Sequence, residues 1–466
     1  MSNIKDYIFL ELTRSICPVC KKTIDAQVRV RDGKVFMFKR CAEHGEFEGL
    51  ISSDVEYYRH SLAFNKPGQV PAALGSEIKN GCPHDCGLCP DHQQHTCLAV
   101  IEITEDCNLS CSGCFAGSSA KNNGQAKNLD LATIDFMLNK YVSYEGSPEV
   151  LQISGGEPTL HPDLFKIIEL ARSKNICHVM LNTNGVRIAQ DDDFARAVAK
   201  TGVELYLQFD GFDPLIYEKL RGSAAVWGLK QKALDAIARY HIPTTLVTTL
   251  EKGVNDSHIG KIVDFAVKNR YIRGITFQPM TYVNGAVKFD PMDRLTLPDV
   301  VKAVEIQTKG MFGAKDFIPL PCSYPTCCSL TYALIRGGKV EPITRKVDVS
   351  SYLDYLSNRI IMSPAGILKK ALEGLWSASA SLNAGKILKD FSCVCGINFK
   401  PGVLDQLKDQ ALRIVIKPFM DPYTFDVKRV MKCCIHVIRP DVKMIPFCVY
   451  NNLHRGRGIK NEASCS

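Results

Sequence analysis

The chain has 466 residues, 45% of them hydrophobic and 23% charged, with 57 Lys and Arg against 49 Asp and Glu for a formal charge of +8. That length predicts two to four domains around a real core. No run of 18 apolar residues occurs, and the start MSNIKDYIFLELTRSICP has acidic residues and no signal-peptide pattern, which predicts a cytoplasmic chain that spans no membrane. Basic residues are spread with no polybasic run, so no nucleic acid is expected as partner. Twenty cysteines at clustered short spacings point to reduced thiols holding metal rather than to disulfides.

Residues 1–78 begin with CPVC (Cys17, Cys20), followed by AQVRVRDGKVFMFKRC, whose alternation about Asp32-Gly33 predicts a hairpin. CAEHG then supplies Cys41 and His44. Two knuckles flanking a hairpin read as a zinc-ribbon or rubredoxin-like site for one tetrahedral ion, zinc or iron. In residues 79–97, GCPHDCGLCPDHQQHTC places Cys82, Cys86, Cys89 and Cys97 within a short segment. Four thiolates fill a cluster, so an auxiliary [4Fe-4S] centre is expected, with His84, His92 and His95 as competing ligands or as loop residues.

Over residues 98–290, six strand-like runs alternate with helical patterns: LAVIEIT (98–104), EVLQIS (149–154), CHVMLNT (177–183), VELYLQF (203–209), TTLVTTL (244–250) and GITFQP (274–279). The fold class predicted is α/β, a partial (βα)6 TIM-type barrel, whose chemistry gathers at the C-terminal strand ends. The first strand leads into ITEDCNLSCSGCF, with Cys107, Cys111 and Cys114 at Cys-x3-Cys-x2-Cys spacing. A four-iron cluster ordinarily takes four thiolates, so three leave one iron open. A zinc knuckle would close with a nearby fourth ligand, whereas the next cysteine is Cys177.

This triplet, ended by Phe115, resembles the radical S-adenosylmethionine signature. The resemblance implies a [4Fe-4S] cluster on Cys107, Cys111 and Cys114 that cleaves S-adenosylmethionine to a 5'-deoxyadenosyl radical. SGGEP after the second strand, with Gly155, Gly156 and Glu157, resembles the family's glycine-rich turn that receives the substrate's amino group. Asn182, Thr183 and Asn184 of NTNG, and Gln208 and Asp210 of QFDG, end the next two strands as candidates for ribose and carboxylate, although ordinary βα turns use the same residues. Arg221 is a candidate carboxylate partner or a solvated arginine.

Residues 291–466 carry Cys322, Cys327 and Cys328 in CSYPTCC, Cys393 and Cys395 in CVC, Cys433 and Cys434 in MKCCIHV, and Cys448 in PFCVYN. Their separation predicts a C-terminal cluster-binding domain with a second auxiliary cluster on Cys322, Cys327, Cys433 and Cys448, Cys328 and Cys434 being the alternatives in their pairs. Spare cysteines serve as small buried hydrophobes, and Cys465 is expected to be inert. Residues 360–391, with Trp376 and several lysines, read as an amphipathic helix that lies in lipid headgroups or packs on the barrel.

The complete cysteine layout is similar to that of the tetraether lipid synthase group, over nearly the full chain. That resemblance implies one mononuclear iron site, two auxiliary clusters and the radical cluster, fed by an external electron donor such as a ferredoxin or flavodoxin. The implied activity abstracts hydrogen from terminal methyl carbons of long-chain lipids and joins two chains by a C–C bond, at the inner face of the membrane. The alternative expectation is a radical enzyme that modifies a peptide or RNA using auxiliary clusters; the chain lacks both the closely spaced C-terminal cysteine array of peptide maturases and an RNA-binding signature.

Overall fold

The computed structural model describes residues 6–118, 127–146, 148–176, 178–283, 289–320, 322–345 and 411–455. Cys177, Cys393, Cys395, Cys465 and the 360–391 segment with Trp376 lie outside the described residues.

The N-terminal ribbon is an antiparallel sheet of β1 (Ile8–Ile16), β2 (Thr23–Arg31), β3 (Lys34–Cys41) and β4 (Gly45–Ser52), in that order. Arg31 pairs with Lys34, leaving Asp32 and Gly33 as a two-residue loop with φ of 51° and 70°. Positive φ at both positions matches the strand twist, which is why Asp-Gly makes the hairpin here. Val28, Val30 and Val35 bury one face against Tyr58 of helix α1 (Val55–Leu62). The other elements hold the ribbon in place: Thr13 Oγ1 donates to Asp426 Oδ1 at 2.6 Å, and Ser53 Oγ to Asp299 Oδ1 at 2.6 Å.

The six expected strands are β5 (Leu98–Glu102), β6 (Val150–Ser154), β7 (His178–Thr183), β8 (Glu204–Gln208), β9 (Thr244–Leu250) and β10 (Ile272–Pro279), each parallel to the next. Helices between them, among them α2 (Leu131–Glu145), α3 (Leu164–Ser173), α4 (Val186–Gln190), α5 (Asp192–Thr201), α6 (Pro214–Arg221), α7 (Val226–Tyr240) and α8 (Ile259–Lys268), cover the outer face, so the strands are buried on both sides. Their outward residues, such as Ile101, Ile153 and Leu205, join Met137, Ile167 and Ile237 of the helices in one core.

The described residues after 317 extend this sheet at both edges. Beyond β11 (Ile318–Pro319), β12 (Ser329–Arg336) and β13 (Lys339–Pro342) comes β14 (Ala411–Ile416), which lies parallel beside β10 and carries β12 antiparallel on its far side. β15 (Ile435–Ile438) lies parallel beside β5, followed by the antiparallel β16 (Met444–Pro446). The cause is register: ALRIVI and IHVI are apolar runs that satisfy the open ladders left by β10 and β5. Among the described residues no helix is long and apolar enough to cross a membrane.

Candidate functional site

Because side chains alternate along a strand, every second residue faces the sheet's inner side. Val100 and Glu102, Gln152 and Ser154, Met180 and Asn182, Tyr206 and Gln208, Val247 and Thr249, Thr276 and Gln278 all line one cavity of about 320 Å³. Cys107, Cys111, Cys114 and Phe115 close it at the C-terminal strand ends, while Arg413, Val415 and Lys417 with Leu330 and Tyr332 wall its far side.

The triplet loop is held by backbone contacts from the glycine-rich turn. Gly156 N donates to Thr104 O at 2.8 Å and Glu157 N to Asp106 O at 2.6 Å. A Cβ at Gly155 would lie 2.3 Å from Thr104 O, and one at Gly156 would lie 2.1 Å from Asp106 O, so both positions require glycine. From the other side, Ser112 Oγ donates to Lys219 O at 3.3 Å. Burial pushes the Cys107 thiol up to about 12, so holding it as a thiolate calls for a cation.

The remaining expected residues divide. Asn182 and Gln208 line the cavity, Asn182 Nδ2 donating to Ser154 Oγ at 2.9 Å. Asp210 does not line it: the carboxylate is fully buried and takes a two-pronged hydrogen bond from Arg221, both contacts 2.7 Å. Burial works against the Arg221 charge, but the Asp210 carboxylate holds that guanidinium above its ordinary range. Arg221 therefore brings a positive charge to the cavity wall, and Asp210 fixes it from behind. Glu157 is likewise spent on the frame, accepting from Thr159 N, from Thr183 Oγ1 at 2.7 Å and from Asn184 N at 2.7 Å. Asn184 in turn donates to Asn108 Oδ1 at 2.7 Å, linking the third strand end to the triplet loop.

The ribbon cysteines and His44 converge. The ligand atoms of Cys17, Cys20, Cys41 and His44 all lie within 4.8 Å of one another, with Cys20 and Cys41 Sγ 3.9 Å apart and His44 Nδ1 3.5 Å from Cys41 Sγ. Metal–sulfur bonds of about 2.3 Å in a tetrahedron give separations of this size, so the set fits one ion.

The other cysteines group differently from their order in the chain. Cys97 does not complete Cys82, Cys86 and Cys89; it stands with Cys322 and Cys434, all three sulfurs within 4.8 Å and Cys322 to Cys434 at 3.7 Å. The pairing of Leu98 with Ile435 brings the residues just before β5 and β15 together. His95 Nε2 lies 3.6 Å from Cys97 Sγ, while its Nδ1 is 3.0 Å from Glu145 Oε2. Cys82 and Cys86 instead share an apolar cluster with Cys448, and the Cys86 thiol, hydrogen-bonded to Cys82 and near Cys89 and Cys433, is raised far above its ordinary value. Cys327 accepts from Lys417 Nζ at 3.2 Å, and Cys328 lines the cavity. His84 and His92 are engaged elsewhere: His84 Nε2 is 2.8 Å from Thr23 Oγ1, and His92 Nε2 is 2.9 Å from Cys433 O and 3.0 Å from His436 Nε2.

Sequence reasoning missed Arg413, Lys417, Phe419, Phe447 and Arg455 in the cavity wall. Phe115 packs edge-on against Phe419 and Phe447, with ring centroids 5.6 and 5.8 Å away. Alternation along ALRIVIK could have flagged Arg413 and Lys417 as one face of a strand.

Residues 101–266 match the family model for the radical SAM superfamily, and residues 9–53 match the HMPTM N-terminal zinc ribbon domain. The 7,8-dihydro-6-hydroxymethylpterin dimethyltransferase of Methanocaldococcus jannaschii is 34% identical over 95% of this chain and 94% of its own length. The mycofactocin maturase MftC of Mycobacterium ulcerans is 27% identical over 36% of this chain and 43% of its own. The solved structure of Streptococcus suis SuiB bound to S-adenosylmethionine is 20% identical, covering 46% of this chain and 47% of that one at a TM-score of 0.38.

Proposed function

The chain belongs to the radical SAM superfamily, in the family of the pterin dimethyltransferase it matches over 95% of its length, and from that premise we propose that it methylates a reduced pterin of the 7,8-dihydro-6-hydroxymethylpterin class. It is a radical SAM enzyme. The observation that carries the pterin reading is the near full-length match, together with the ribbon match over residues 9–53. A cavity of about 320 Å³ among the described residues, at the small end of ligand pockets, agrees with it.

When bound at Cys107, Cys111 and Cys114, a [4Fe-4S] cluster with S-adenosylmethionine supplies a carbon-centred radical that no side chain can generate. The residues here supply placement. Arg221, fixed by Asp210, offers a positive charge to a carboxylate, while Asn182 and Gln208 offer hydrogen bonds to a ribose. Among the described residues, Gln208 Oε1 is buried without a hydrogen-bond partner, its amide nitrogen being taken by Asp210, so an acceptor stands ready for a ligand hydroxyl. Phe115, Phe419 and Phe447 screen the triplet side from water. We assign Cys17, Cys20, Cys41 and His44 to one zinc or iron ion; Cys82, Cys86 and Cys89, with Cys433 or Cys448, to one auxiliary cluster; and Cys97, Cys322 and Cys434 to a second. A low-potential donor of the ferredoxin or flavodoxin kind completes the reading.

Joining lipid chains is the second reading, favoured by the cysteine layout. One anaerobic incubation separates the two. Reconstituted protein, S-adenosylmethionine and reductant are supplied with 7,8-dihydro-6-hydroxymethylpterin in one arm and an archaeol-type diether lipid in the other, followed by mass spectrometry. Pterin products heavier by one or two methylene units are expected. A joined lipid with unchanged pterin overturns the proposal.

A further inference from the structure

We propose that Arg413 and Tyr332 form a recognition floor for the substrate's heterocycle, donating to two acceptors side by side on one ring edge, a lactam oxygen and the imine nitrogen across the ring fusion from it. This rests on the pterin reading and specifies how the ring is seated.

The floor is built by register. Tyr332 pairs with Arg413 across β12 and β14, Arg413 with Gly274 across β14 and β10, Gly274 with Thr245, and Thr245 with Tyr206. One row therefore crosses five strands at the end of the cavity away from the triplet. Arg413 is 7% exposed and Tyr332 3%, yet both line the cavity. Gly274 sits between Arg413 and Thr245 with no side chain, and a Cβ there would stand 3.0 Å from Thr245 Oγ1 and 3.3 Å from Arg413 O. Thr245 Oγ1 donates to buried Glu204 at 2.6 Å, which places a fixed carboxylate behind the row. Gln278 Nε2 donates to Tyr206 Oη at 3.2 Å and braces the opposite wall.

A guanidinium taken this far from water is matched by acceptors, and its planar fork suits two of them side by side. Tyr332 is hydrogen-bonded to Arg413, which holds the phenol beside the guanidinium. Above the floor, Val415, Leu330 and Val247 make an apolar belt suited to the faces of a flat ring. Arg413 and Lys417 are four residues apart on one strand, roughly 13 Å at 3.3 Å per residue, so a bicyclic ring seated on the floor extends toward the triplet end. A long alkyl chain has no acceptor edge to offer this row.

The test is equilibrium binding of 7,8-dihydro-6-hydroxymethylpterin, and of its 4-amino counterpart, to reconstituted full-length protein under anaerobic conditions. Wild type should bind the pterin and bind the 4-amino compound at least about tenfold more weakly, because a donor then faces a donor. Arg413→Lys, which keeps the charge and loses the fork, should weaken pterin binding by about tenfold or more and reduce the preference. Tyr332→Phe, the milder change, should weaken it severalfold if Arg413→Lys does not fold. Unchanged affinity and preference in a folded variant would overturn the floor while leaving the pterin reading intact. No pterin binding by wild type would overturn both.

Discussion

Gly156→Ala tests whether the glycine-rich turn sets the position of the triplet. The added Cβ would stand 2.1 Å from Asp106 O and 2.9 Å from Glu105 O, both backbone atoms that no rotamer change can move. The loop would have to retreat by roughly 1 Å to restore an ordinary contact, an overpacking cost of about 1–3 kcal/mol. That retreat also strains the Glu157 N to Asp106 O hydrogen bond, adding about 1 kcal/mol. The expected loss is thus about 2–4 kcal/mol in urea denaturation. It should come with a fall of about 100-fold or more in 5'-deoxyadenosine formation, since misplacement by about 1 Å at a reacting centre has that effect. Gly228→Ala is the matched control: nothing lies within 4 Å of its Cβ in helix α7, so it should be neutral or stabilise by up to about 1 kcal/mol. Wild-type stability and turnover in Gly156→Ala would refute the reasoning.

Iron content tests the cysteine grouping: wild type should hold roughly thirteen irons, or twelve with zinc in the ribbon, and the Cys82→Ala, Cys97→Ala double variant should lose about eight, one cluster for each site. A loss of about four would return both residues to a single cluster. Lys230, which donates to Asn184 O and is lowered by burial to about 7, predicts a pH dependence. Between pH 7 and its unfolded value of 10.5 the unfolded chain binds a proton that the native state lacks, so stability rises with pH, by at most about 1.4 kcal/mol per unit. Lys230→Met should flatten the part of that slope not due to Lys39, also lowered to about 7 by burial. Equal slopes in urea midpoints at pH 7, 8 and 9 would sink the assignment.

The local parts of the structure were legible because their causes are local. The Asp32-Gly33 hairpin, the CPVC and CAEHG knuckles and the six alternating strands follow from turn chemistry and periodicity within short windows. Cys97 was misgrouped because proximity in the chain was taken for proximity in space. Nothing in GCPHDCGLCPDHQQHTC reveals that β15 will lie beside β5 and bring Cys434 to Cys97. Asp210 was read as ligand-facing because a polar residue at a barrel strand end has that prior, and Glu157 because SGGEP resembles a glycine-rich turn that meets the substrate. Their burial and their partners, Arg221 for one and Thr183 and Asn184 for the other, are tertiary facts.

The position of the Cys97, Cys322 and Cys434 trio ties metal binding to the shape of the cavity. Cys97 and Cys434 precede β5 and β15 at one edge of the central sheet, whereas Cys322 lies between β11 and β12 at the other. The six parallel strands alone would leave the cavity open between those edges. A metal bound at the trio, as proposed above, would join them by coordination, which no hydrogen-bonded ladder does among the described residues: β15 pairs with β5 and β16, and β12 with β11, β13 and β14. Arg413, Tyr332 and Lys417 belong to the strands on the Cys322 side, so an edge-to-edge closure set by metal at the trio would fix where they stand. With metal on these sulfurs, the same residues would position the cavity's far wall, and coordination energy would become folding energy for the ligand-binding shape.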